Sequence, residues 1–99
     1  KNFAKAHQAI DGATKTFKKI KDSIREGFAL DTKAQIYFAE SEYAKALETV
    51  EDAVAILQKS ENIGYLTETL LTKVKILIYL DDFTSALICL TDAVQMAKN

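Results

Sequence analysis

The stretch Tyr43-Ala-Lys-Ala46-Leu-Glu-Thr-Val50-Glu-Asp-Ala53 decides the reading of this chain, because its pattern is written three times. Phe3-Ala-Lys-Ala6-His-Gln-Ala-Ile10-Asp-Gly-Ala13 precedes it by forty residues, and Phe83-Thr-Ser-Ala86-Leu-Ile-Cys-Leu90-Thr-Asp-Ala93 follows it by forty. No gap is needed. An aromatic, an alanine, a branched aliphatic and an alanine recur at spacings of three, four and three, which puts all four on one face of a helix. The alanines let a neighbouring backbone come close, and the larger residues fill the space on either side.

The intervening segments repeat as well. Leu30, Ala34, Ile36 and Tyr37 correspond to Leu70, Val74, Ile76 and Leu77. The junctions Glu40-Ser41-Glu42 and Leu80-Asp81-Asp82 are short and polar, as antiparallel helical hairpins require. Ser23-Ile-Arg-Glu26 has the form of a capping box, and Ser60-Glu-Asn-Ile-Gly64 reads as the loop one repeat later. Five helices are expected, over about 2–21, 24–39, 42–59, 64–80 and 82–98. The organisation is a partial repeat (1–22) and two full ones (23–62 and 63–99) within one all-α domain.

Composition agrees. The 99 residues are 48% hydrophobic and 27% charged, with no proline and three glycines, which excludes disorder and favours helix. Net charge is -1, without the positive field that draws a protein to nucleic acid. Residues 1–25 are nevertheless basic, with Lys1, Lys5, Lys15, Lys18, Lys19, Lys21 and Arg25 against Asp11 and Asp22. Between those lysines Phe3, Ala6, Ile10, Ala13, Phe17, Ile20 and Ile24 form a three-four stripe that needs burial, so the lysines mark the wet side. The longest apolar run, Ile76–Leu80, is too short to span a bilayer. The chain opens on Lys1 rather than Met, which reads as a piece of a longer cytoplasmic protein.

The stretch from Ala34 through Tyr37, Tyr43 and Ala46 to Val50 and Ala53 resembles the tetratricopeptide repeat (TPR), in a long version of about forty residues. Phe83, Ala86, Leu90 and Ala93 match the second-helix half again, as do Phe3, Ala6, Ile10 and Ala13. The usual Trp, Gly and terminal Pro are missing, Leu77 replaces the Tyr and Val74 the small residue. HEAT-like pairs are the structural alternative. The resemblance implies a right-handed α-solenoid whose concave groove, lined by the first helix of each repeat, holds a protein or peptide. The groove positions it implies are Phe28, Asp31, Gln35 and Phe38, then Glu68, Leu71, Lys75 and Ile78. Apolar anchors supply burial there and the polar residues set register. Such anchors also pack between adjacent repeats, so each carries that structural reading beside the functional one. Asp31 and Glu68 argue against the carboxylate clamp of chaperone-tail-binding members, which use Lys and Asn. A ligand-sensing part of a bacterial-type regulator, or a spacer that self-associates through exposed terminal helices, is the alternative function.

Catalysis is not expected, and neither a cofactor nor a metal is implied. His7 is the lone histidine, at a position where the other copies have Leu47 and Leu87, and reads as a partly buried or helix-end residue. With one Cys and one His no zinc site can be assembled. Cys89 aligns with Thr49 and Gln8, which predicts partial accessibility, but it has no basic neighbour in sequence to activate it. Glycine-rich phosphate loops and calcium loops are both lacking.

Overall fold

The computed structural model describes residues 2–98, which form five α-helices joined by tight turns. They are α1 (Phe3–Lys19), α2 (Ser23–Ala39), α3 (Tyr43–Ser60), α4 (Ile63–Tyr79) and α5 (Phe83–Lys98). Consecutive helices pack antiparallel, and α2 also touches α4. By contrast α1 does not approach α3, nor α3 α5, at the level of the backbone.

The turns explain the regularity. Lys21, Ser41, Glu61 and Asp81 all take the left-handed conformation, with φ between 59 and 63°, and they stand twenty residues apart. Three of these turns share one hydrogen-bond scheme: Asp22 N–H donates to Phe17 O at 2.8 Å, Glu42 to Tyr37 at 2.9 Å and Asp82 to Leu77 at 2.9 Å. This six-to-one closure satisfies helix-end carbonyls and is usually completed by glycine, yet none of the four positions carries one. The next helix begins at once. Asn2, Asp22, Asn62 and Asp82 each accept from the backbone N–H three residues on, at 3.0 to 3.1 Å. Glu42, at the same point in the cycle, makes no side-chain cap, its carboxylate being one methylene too far out.

Two sequence expectations are corrected here. Asp22 and not Ser23 caps α2, because the αL turn at Lys21 ends α1 one residue before it. The loop expected over 60–64 shrinks to Glu61 and Asn62, since Asn62 caps α4 and Gly64 lies inside that helix.

The core follows the repeat. Ala46, Val50 and Ala53 are fully buried, joined by Ala34 and Ile76 on one side and by Leu57, Leu66, Leu70 and Leu77 on the other. At Gly27 α2 lies close against α3: a Cβ there would lie 2.6 Å from Leu57 Cγ. The outer copies of the stripe are less covered. Nothing on α1 is fully buried, and Ile20, expected to be part of its buried stripe, is exposed because α1 has already ended. Lys15, Lys18 and Lys19 are exposed, while Lys1 lies outside the described residues. Lys33 of α2 pairs with Asp11 of α1 at 2.6 Å, and one repeat later Lys73 of α4 pairs with Glu51 of α3 at 3.5 Å. The forty-residue period therefore extends to the ion pairs.

Candidate functional site

Three cross-helix pairs show that α2 and α4 run side by side in the same direction. Phe28 meets Tyr65 with ring centroids 5.9 Å apart, Asp31 accepts a hydrogen bond from the Thr69 hydroxyl at 3.0 Å, and Phe38 meets Tyr79 edge-on at 4.7 Å. Residue numbers rise together along both helices.

This seam separates the eight expected groove residues into three groups. Phe28 and Gln35 on α2 and Glu68 and Lys75 on α4 are exposed and line the open side of the seam. Asp31 and Phe38 instead face into it. Asp31 is buried, and its carboxylate also accepts from Gln35 Nε2 at 3.1 Å, so it is a strut between α2 and α4 and not a free acid. Phe38 is half-buried and packs against the core around Ala46 and Val50. Both side chains therefore contribute to the packing of α2 against its neighbours. Leu71 and Ile78 are the α4 counterparts of Asp31 and Phe38, and with no helix among the described residues beyond α4 on that side they stay 47% and 45% exposed.

Sequence reasoning missed three members of this face. Tyr43, from the start of α3, and Tyr79 close a triangle with Phe38, with centroids 4.7 to 5.4 Å apart, and Lys75 Nζ sits 4.6 Å above the Phe38 ring. Rings at that spacing touch one another, so they form a platform and leave no cage between them for a cation. Tyr65 completes the opposite end beside Phe28. The signal for Tyr79 lay in its position one residue after Ile78, on the flank of α4 nearest α2.

A second exposed surface runs along α5. Phe83, Leu87, Leu90 and Val94 are 60%, 65%, 39% and 46% exposed. Their equivalents Tyr43, Leu47, Val50 and Val54 on α3 are half-buried or buried, because α4 packs over α3. Leu71, Ile78 and the α5 stripe are thus apolar side chains left uncovered among the described residues.

His7 is half-buried, as expected. Its Nε2 contacts the Glu40 carboxylate, tying α1 to the end of α2, and its ring packs 4.4 Å from that of Tyr37. Its Nδ1 is buried without a partner. Cys89 is a correction: it is buried, 6% exposed, and its thiol donates to Leu70 O at 3.4 Å. The alignment with Thr49 and Gln8 misleads because α5 leans on α4 at that point. Burial, the largest influence, pushes the thiol pKa up, and Asp92 adds to this while Lys73 opposes it. Such a thiol is a poor nucleophile.

Among the described residues no three His, Cys, Asp or Glu side chains cluster as metal ligands would, and no helix is long and apolar enough to cross a membrane. No family model, curated protein or solved structure matches this chain.

Proposed function

We propose that this chain is a non-catalytic protein- or peptide-binding module built from TPR-like helical hairpins, with the α2/α4 seam as its ligand groove. The observation that carries the reading is the asymmetry of helix spacing. The first helices of successive hairpins, α2 and α4, touch, whereas the second helices α1, α3 and α5 stand apart. A stack with closer inner helices curves toward them, and that supports a concave surface along the seam. On it an aromatic pair at one end, an aromatic platform at the other, and Gln35, Glu68 and Lys75 between offer anchors and polar registers to an extended peptide or a helix. Burying one such anchor contributes roughly 1.5–3 kcal/mol before ordering costs. The mixed charge favours a protein ligand over nucleic acid.

The test is retention of a partner from a lysate of the source cells by the parent and by the charge-swapped pair Glu68→Lys with Lys75→Glu. Both side chains are exposed, so the fold is kept. Loss of a retained protein in the swapped variant supports the groove, and equal retention removes it. The α5 stripe favours a second reading, a spacer that stacks on a further hairpin or a second copy. Concentration-dependent dimerisation abolished by Leu87→Glu is its signature.

A further inference from the structure

On the side of α2 away from the α4 seam, the splaying of α1 from α3 opens a cavity of about 610 Å³. Lys15 and Lys18 of α1 form one wall, Glu26 and Leu30 of α2 the floor, and Asp52 and Ile56 of α3 the other wall. A cavity of about 640 Å³ exists at the equivalent place one repeat on, so the opening itself is a property of the stack. Its chemistry is not. Shifted by forty residues, Glu26 becomes Leu66, Ile56 becomes Met96, Thr14 becomes Val54 and Lys18 becomes Gln58. Leu66 and Val54 belong to the hydrophobic core, with Met96 packed against them. The first hairpin therefore keeps a half-buried carboxylate and two lysines where its sibling has apolar or uncharged residues. A residue that contradicts the core register of its own repeat gives up burial free energy, and such conflicts concentrate at functional positions.

The charges there are available. Asp11 at the rim is taken by Lys33, but among the described residues Lys15, Lys18, Glu26 and Asp52 form no ion pair. A positive wall thus faces a negative floor and wall across an aliphatic patch, in a volume within the range of ligand pockets, roughly 300–1,000 Å³. We infer that this cleft is a second binding site, for a short peptide segment in which an acidic and a basic side chain flank aliphatic ones. The acid meets Lys15 and Lys18, the base meets Glu26 and Asp52, and the aliphatic part covers Leu30 and Ile56. A polyanion fits poorly, because Glu26 and Asp52 repel it. No lining residue is shared with the α2/α4 face, so either site stands if the other falls.

The test is a backbone-amide NMR titration of the whole chain with acetyl-Glu-Leu-Leu-Lys-amide and with the reversed acetyl-Lys-Leu-Leu-Glu-amide, to millimolar concentration at low salt. Saturable shifts at Lys15, Lys18, Glu26 and Ile56 are expected with at least one of them. The neutral acetyl-Gln-Leu-Leu-Gln-amide should bind about tenfold more weakly. Lys18→Glu should weaken the charged peptide by a similar factor. Glu26→Leu, which installs the residue found at position 66 and so keeps the helices folded, should do the same. No saturable shift with either charged peptide, or equal binding of the neutral one, overturns the proposal, as does an unchanged affinity in both variants.

Discussion

Replacing Gly27 with alanine tests the packing account, because two opposing effects have calculable sizes. In an exposed helix interior, Gly→Ala stabilises by up to about 1 kcal/mol. Gly12, in the middle of α1, is such a position: an added Cβ meets nothing within 4 Å. At Gly27 the same Cβ falls 2.6 Å from Leu57 Cγ and 2.8 Å from Cδ2. Leu57 has no exposed surface and cannot swing away, and its branch carbon is not a flexible tip. Either α2 and α3 separate or Leu57 leaves its rotamer, at a cost of about 1–3 kcal/mol, which exceeds the propensity gain. Urea unfolding followed by far-UV circular dichroism should therefore show Gly12→Ala more stable than the parent and Gly27→Ala less stable, by up to about 2 kcal/mol. For a domain of this size that lowers the melting temperature by up to roughly 15 °C. Adding Leu57→Val to Gly27→Ala makes room for the new methyl, so the double variant should lose less than the sum of the singles. Equal stabilisation by the two Gly→Ala changes would refute the close approach of α2 to α3.

Ser41→Gly should stabilise the chain by about 1 kcal/mol, read from denaturant midpoints, since Ser41 bears the strain of a left-handed backbone that glycine tolerates. Glu42→Asp should add about 0.5–1 kcal/mol by supplying the missing cap of α3, visible in the same assay. Thr69→Val should destabilise by about 1.5–3 kcal/mol, because it strips the buried Asp31 carboxylate of a hydrogen bond. Cys89 should resist a thiol reagent until the chain unfolds. Because its pKa is raised in the folded state, its contribution to stability is complete below the ordinary thiol pKa and is lost as pH rises through the folded value. The Cys89→Ala variant should lack that alkaline decline.

The helices were legible because period and spacing act locally. The aromatic-alanine-aliphatic-alanine stripe located α1, α3 and α5, and the helix limits came within a residue or two. The turn chemistry was less visible: Asn2, Asp22, Asn62 and Asp82 cap four of the five points of a twenty-residue cycle that Glu42 interrupts, a shorter period than the forty-residue stripe, and no glycine marked the left-handed positions. At the seam, sequence grouped residues by helix face without the neighbour that covers them. Asp31 and Leu71 share a register, yet α4 buries the first and nothing covers the second. Cys89 failed for a similar reason, as its alignment partners Thr49 and Gln8 lie on helices with different neighbours. Helical period fixes direction from an axis, whereas burial depends on which axis stands opposite.

Site-specific photo-crosslinking in the source cells tests the central claim most directly. A photoreactive residue would replace Gln35 or Lys75 in the α2/α4 groove, Leu87 on the α5 face, or the exposed Glu48 on α3. If the groove holds a partner, one protein should crosslink from both 35 and 75 and not from 48. Crosslinks arising only from 87, or from none of the four positions, would contradict a ligand groove between α2 and α4.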